Sequence, residues 1–258
     1  MRDEIDMLAY SLEAEKELLP LLPQLLADIW ALGSNVETIV DTVHSLNLPP
    51  ASRVVDLGCG KGAVSIALAK ACQFRVLGID LFEPFIDECK ERARQNGVGE
   101  LCEFQHGNIV KLAGQVEPAD VAVFAALGDT LGTRAETMSI LRRYVRPSGF
   151  IVVNDGFVRR PDAPLFPGFE GAAVREAALA GWGELGDILV SESIETEDDG
   201  YDGGDDEEAE LIGRRAEALA RANPALATAI QRFAQSQADE YDFLAKEFIS
   251  ATWVFRRG

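Results

Sequence analysis

Long apolar runs are missing from this chain. None reaches about 18 residues, the length at which a membrane-spanning helix becomes a candidate, so no span is expected. Cysteine is sparse and scattered: Cys59, Cys72, Cys89 and Cys102 form no Cys-x-x-Cys pair. That pattern suggests neither a zinc site nor a disulfide framework, and no metal is expected. Positive charge is also scarce, with 24 Lys and Arg against 43 Asp and Glu, a net charge of −19. A nucleic-acid partner needs a basic face to displace counterions, and this composition argues against one. The segment Met1-Arg2-Asp3-Glu4 is acidic and leads into helical sequence instead of an apolar signal segment, which makes the cytoplasm the expected compartment.

What is present suffices for a core. Hydrophobic residues make up 47% of 258, which fits one large domain or a domain with a helical cap. The most informative stretch is Val54-Val55-Asp56-Leu57-Gly58-Cys59-Gly60-Lys61-Gly62, a short β-branched run that ends in an acid and alternate glycines. Ala63 to Cys72 then reads as a helix. Strand, glycine turn and helix form the first unit of a doubly wound sheet, which binds ligands at its strand C-termini. The next strand, Arg75 to Asp80, ends in a second acid at the spacing (about twenty residues on) expected of a ribose-diol acceptor.

The order Asp-Leu-Gly-Cys-Gly-Lys-Gly followed by Gly78-Ile79-Asp80 resembles the class I S-adenosylmethionine-dependent methyltransferases. A strict G-x-G-x-x-G fingerprint is not met, because Ala63 stands at its third glycine, although a looser form admits Ala there. The resemblance implies S-adenosylmethionine as cofactor, with a site formed by Asp56, Gly58, Gly60, Gly62, Asp80, Leu81, Asn108, Ile109 and Ala125. Relatives usually carry Asp at the position of Asn108, and its side chain accepts from the adenine amino group; the carbonyl of an amide can accept the same bond.

The implied fold is α/β: a doubly wound, mostly parallel seven-stranded sheet with an antiparallel last strand and a helical N-terminal cap. The expected organisation is a cap over residues 1–50 and a methyltransferase domain over 51–258. In the cap, Pro20 and Pro23 interrupt a first helical segment, and Ser34 with Glu37 reads as a capping box for a second. The strands expected next are 101–105, 120–126 and 150–155, with helices from Pro84 to about Asn96 and from Arg134 to about Val145. Beyond Gly156 come a Pro- and Gly-rich loop, a helix near 173–180 and a strand near 187–193. The stretch 195–210 is acidic, holds no Lys or Arg, and has the composition of a mobile loop. It lacks the order of a calcium-binding EF-hand loop. Helical sequence resumes to about Asn223, a long helix begins at Pro224, and Ala251 to Phe255 is a last strand resembling the family's antiparallel seventh.

Methyl transfer from a sulfonium is an in-line displacement, so catalysis can come largely from alignment and the sequence need not display a nucleophile. An amine or oxygen acceptor must lose a proton. Asp129, in the loop after strand four, is the candidate base; the alternative is that it caps the following turn or helix. Its loop resembles that of small-amine methyltransferases. A pocket for the acceptor is expected from Tyr10, Phe157, Arg159, Arg160, Phe166, Phe169 and Trp182. The expected partner is a small-molecule methyl acceptor. Two other readings stay open. The same strand-turn-helix unit serves nicotinamide-dependent oxidoreductases, against which stand Ala63 and the lack of a Tyr-x-x-x-Lys pair. A non-catalytic chain of this fold would instead use its acidic loop to dock a basic partner.

Overall fold

The computed structural model describes residues 3–195 and 204–258. Strands Arg53–Leu57 (β1), Arg75–Asp80 (β2), Cys102–His106 (β3), Ala119–Ala125 (β4), Val145–Val158 (β5), Ile188–Ile194 (β6) and Phe248–Arg256 (β7) form one sheet in the order β3-β2-β1-β4-β5-β7-β6. The first five are mutually parallel, and β7 runs antiparallel to both β5 and β6. The antiparallel last strand therefore lies inside the sheet edge, between β5 and β6. The strand order reverses direction between β1 and β4, where Val54 to Leu57 pair with Val121 to Phe124. Open α/β sheets bind ligands outside the strand ends at such a reversal.

The near-continuous apolar run of β4 follows from burial on both faces. Val121 and Val123 face a layer with Ile39, Val43 and Ile66, from helices Val36–Ser45 (α3) and Ala63–Cys72 (α4). Ala122 and Phe124 face the other layer with Met138 and Leu141 of Arg134–Leu141 (α7) and Trp182 of Arg175–Trp182 (α8). Helix Glu83–Gln95 (α5) follows β2 with Pro84 in its first turn, and Gly97 stops it at φ +72°. The short helix Ile109–Leu112 (α6) follows β3.

A third apolar cluster lies apart from the sheet layers. It joins the N-terminal segment to the late helices Gly204–Ala222 (α9) and Ala227–Glu247 (α10), through Leu18, Leu22, Leu25 and Ile29 against Ile212, Ala216, Ile230 and Phe233. Phe82 and Phe85, just past the C-terminal end of β2, belong to the same cluster. The N-terminal segment is made of Glu4–Ser11 (α1), a 3-10 helix Lys16–Leu21 around Pro20, and Leu22–Leu25 (α2). The cap over the strand ends is thus shared between both ends of the chain.

Two expectations need correction. The start of α3 is capped by Asn35, whose Oδ1 accepts from the Thr38 N–H at 3.0 Å, and not by a Ser34–Glu37 box. Asn is as good a cap as Ser, and the helix begins one residue later than that box requires. A complete capping box occurs instead at Thr133 and Glu136, which start α7. The acidic stretch expected as a loop over 195–210 is helical from Gly204, because Leu211, Ile212 and Ala216 give α9 an apolar side to bury. Residues 196–203, with the rest of that predicted loop, lie outside the described residues.

Candidate functional site

The turn after β1 supports both carboxylates singled out in the sequence. Gly58, Gly60 and Gly62 take φ of +72°, +50° and +78°, left-handed values that favour glycine. Asp56 is 2% exposed and accepts from the Ser65 hydroxyl at 2.6 Å. Burial raises its carboxyl to about 6, against the pull of the Ser65 hydrogen bond, and nearby Asp80 adds to the rise. Asp56 therefore faces α4 and braces the turn from beneath.

Asp80 points the other way, to the rim. Its Oδ2 accepts from the Gly60 N–H and its Oδ1 from the Phe82 N–H, both at 2.8 Å. Burial raises this carboxyl also to about 6, opposed by those two backbone hydrogen bonds. Each oxygen keeps a further lone pair, so the carboxylate is oriented by backbone and can still accept from a ligand. Leu81 follows on the same rim, its carbonyl oxygen 3.0 Å from His106 Nε2.

The third part of the predicted cofactor site is arranged differently from expectation. Asn108 Oδ1 accepts from the Val110 N–H at 2.9 Å and the Lys111 N–H at 3.3 Å, so the amide carbonyl expected to meet adenine caps α6. Its Nδ2 lies 3.7 Å from the Met7 sulfur of α1, and Glu4 of α1 pairs with Lys111 at 2.9 Å. Ile109 supplies a carbonyl to the Tyr144 hydroxyl at 2.6 Å, and Ala125 is buried at the end of β4.

Beside this turn lies a cavity of about 350 Å³. Its floor is the ends of β4 and β5, from Ala126 to Thr130 and at Asn154 and Asp155; its roof comes from the segment Tyr10 to Glu13 and from α10. Leu127 links cavity and turn: a Cβ on Gly58 would meet its Cδ1 at 2.3 Å. Likewise a Cβ on Gly60 would meet Leu32 Cδ1, of the cap, at 2.9 Å.

Asp129 lines this cavity half-buried, and its Oδ2 accepts from the Gly171 N–H at 2.8 Å. It caps no helix, since Thr133 does that for α7. Of the residues expected around an acceptor, Tyr10, Arg159 and Phe169 reach the cavity. Phe157 and Trp182 are buried in the core instead, Arg160 pairs with Glu247 at 2.9 Å, and Phe166 packs on Phe243.

Sequence reasoning missed the acids that share the cavity. Glu13, Asp155, Glu195 and Glu240 line it along with Asp129. Glu13 is held protonated well above the ordinary carboxylate range by burial, with the charge and hydrogen bond of Glu240 next in effect. Burial raises Asp155 to about 6 despite Arg134, 3.6 Å away. On the sequence these acids are ordinary charges of helices and loops; the one local sign is at Glu13, which takes φ +49° where α1 ends.

Residues 49–175 match the model of a protein family described as a methyltransferase domain. That stretch is similar to methyltransferase domains, and the chain has the class I methyltransferase fold. The match spans β1 to the start of α8 and leaves the N-terminal segment, α9 and α10 outside it. Among curated proteins, the ribosomal protein L11 methyltransferase of Rhodopseudomonas palustris is 29% identical over 153 residues, covering 57% of this chain and 50% of the relative. The demethylmenaquinone methyltransferase of Lactiplantibacillus plantarum is 26% identical over 140 residues, covering 54% and 58%. The chain thus spans little more than half the length of these relatives. The whole fold, cap included, resembles a S-adenosylmethionine-dependent methyltransferase from Geobacter sulfurreducens solved with S-adenosyl-L-homocysteine. That likeness has a TM-score of 0.75 at 22% identity, over 93% of this chain and 98% of the other. No helix of the described residues is long and apolar enough to cross a membrane.

Proposed function

We propose that this methyltransferase domain uses S-adenosylmethionine to methylate a small molecule held in the 350 Å³ cavity. The carrying observation is the position of that cavity. It opens at the strand ends of β4 and β5, next to the reversal of strand order, and Leu127 separates it from the glycine turn. Its size falls within the range of pockets that enclose small ligands, about 300–1,000 Å³.

The residues at the turn fit the cofactor. Two backbone hydrogen bonds orient Asp80 as a ribose-diol acceptor would need, and Gly58 and Gly60 let the turn pack against Leu127 and Leu32, where a Cβ would collide. Gly62 and Asp56 would shape the turn, while Leu81, Asn108, Ile109 and Ala125 would line the base and methyl sides. When bound, S-adenosylmethionine supplies a methyl group made electrophilic by a positively charged sulfur. The work left to this chain is to align an acceptor atom, keep water out and take up any proton the acceptor must shed. Asp129, on the cavity wall, would take up that proton. The names of the two relatives point to different acceptors, so they do not choose one for this chain.

Titration calorimetry with S-adenosylmethionine and S-adenosylhomocysteine tests the cofactor. Failure of both to bind at millimolar concentration overturns the reading. A transfer assay with labelled cofactor, over small amines, phenols, thiols and carboxylic acids with a ribosomal-protein control, tests the acceptor. Label entering only the protein control overturns the small-molecule part alone.

A further inference from the structure

The cavity has a one-sided charge. Among the described residues that line it, five carry carboxyl groups and Arg159 is the one cationic side chain. The carboxyl groups come from separate elements: Glu13 after α1, Asp129 after β4, Asp155 on β5, Glu195 after β6 and Glu240 on α10. Two of them have partners of different kinds: Arg134 lies 3.6 Å from Asp155 and offsets its charge, whereas Asp129 accepts from the neutral Gly171 backbone at 2.8 Å. Glu13 and Glu240 face each other across the roof, with Glu170 of the adjoining loop also acting on Glu13. That pair holds a proton chiefly because burial penalises the charged form of Glu13, with the charge and hydrogen bond of Glu240 next.

The remaining wall is aromatic. Phe169 meets Phe248 edge to face at 5.4 Å between ring centres, and Tyr10 and Tyr241 complete this side. Ring faces attract cations, and the attraction grows where water is excluded. The ionised carboxylates among the five acids repel an anion and favour a cation over a neutral hydrogen-bond donor of the same shape. The net charge of −19 adds a field that draws cations toward the surface.

Resting on the reading of this cavity as the acceptor site, we propose that its ligand is an organic cation: an amine on a flat apolar body, entering as its ammonium. The ammonium head lies among Glu13, Glu240 and Asp129, and the apolar body lies against Phe169 and Phe248. An ammonium between Glu13 and Glu240 takes over the role of the shared proton, which is released to solvent as the cation binds. No covalent step is needed for this recognition.

The test is calorimetric titration of the full chain with three probes of similar shape: phenethylamine, 2-phenylethanol and phenylacetate. Phenethylamine is expected to bind at least about tenfold more tightly than 2-phenylethanol, with phenylacetate weakest, the difference of one charge-assisted contact. Glu240→Gln is expected to lower phenethylamine affinity at least about fivefold and to leave 2-phenylethanol unchanged. Equal affinity for amine and alcohol, tighter binding of phenylacetate, or no binding of any probe at millimolar concentration overturns the cation site. Amine affinity unmoved by Glu240→Gln in a variant that melts as the parent does overturns it too. S-adenosylhomocysteine is titrated in parallel: if it fails while the amine preference stands, the cofactor reading falls and the cation site remains.

Discussion

Lys61 reaches out of the glycine turn and donates a hydrogen bond from Nζ to the carbonyl oxygen of Ile29 at 2.9 Å. The same ammonium donates to the Leu26 carbonyl, lies 5.5 Å from the Phe85 ring centre and 3.6 Å from Glu88, and is fully buried. In return, Trp30 donates its indole N–H to the Lys61 carbonyl at 3.0 Å. The motif lysine is therefore a clasp between turn and cap. The Leu26 carbonyl also accepts from the Ile29 N–H at 3.1 Å, so Lys61→Met should leave chiefly the Ile29 carbonyl unpaired, at about 1–3 kcal/mol. The expected result is lower stability in urea unfolding and faster amide exchange over residues 22–35. Unchanged exchange there would show that the cap stands without the clasp.

Asp56 should cost the fold stability at neutral pH. Its carboxyl is raised by burial to about 6 in the folded chain, above its unfolded value of 3.8. A raised folded value gives stability that is fully present below the unfolded value and lost as pH rises through the folded one. Asp56→Asn keeps an oxygen for the Ser65 hydroxyl and removes the buried charge. It should raise stability at pH 7.5 by up to about 3 kcal/mol and have little effect near pH 3.5. Melting curves at the two pH values check this, and an equal shift at both would contradict it.

Asp80 should govern cofactor affinity and its pH dependence. Charge-assisted hydrogen bonds to a diol are worth about 1.5–3 kcal/mol each, so Asp80→Ala should weaken S-adenosylhomocysteine binding more than tenfold. Since burial raises this carboxyl to about 6, affinity should climb as pH rises through that value and level off above it. Calorimetry from pH 5 to 8 would reveal the climb. A flat profile with unchanged affinity in the variant would place the ribose elsewhere.

Asp129→Asn separates a proton acceptor from a loop anchor. The amide oxygen can still accept from the Gly171 N–H, so the loop should stay in place. With an amine acceptor, turnover should fall at least about tenfold while cofactor affinity stays nearly intact, within the usual contribution of general base catalysis. Turnover at the parent rate would leave Asp129 only its anchoring role.

The sequence by itself determined the sheet and the turn. Hydrophobic periodicity and glycine punctuation are local signals, and they put α4 at Ala63–Cys72 and β2 at Arg75–Asp80, as found. The left-handed turn is equally local, because φ above zero needs glycine at Gly58, Gly60 and Gly62 whatever lies around them. Boundaries shifted where a neighbour decided them. β5 runs back to Val145 and on to Val158 because β4 and then β7 extend its ladder beyond the apolar core of the strand. Only the tertiary structure decided what faces the site. Lys61 reads as a flexible surface charge until the carbonyls of Leu26 and Ile29 surround it. Glu13 and Glu240 read as solvated helix charges until a cap built from both ends of the chain sets them face to face. Periodicity tells which side of its own element a residue occupies, but not which other element that side will meet. The burial, shared proton and charge of the cavity all come from that meeting.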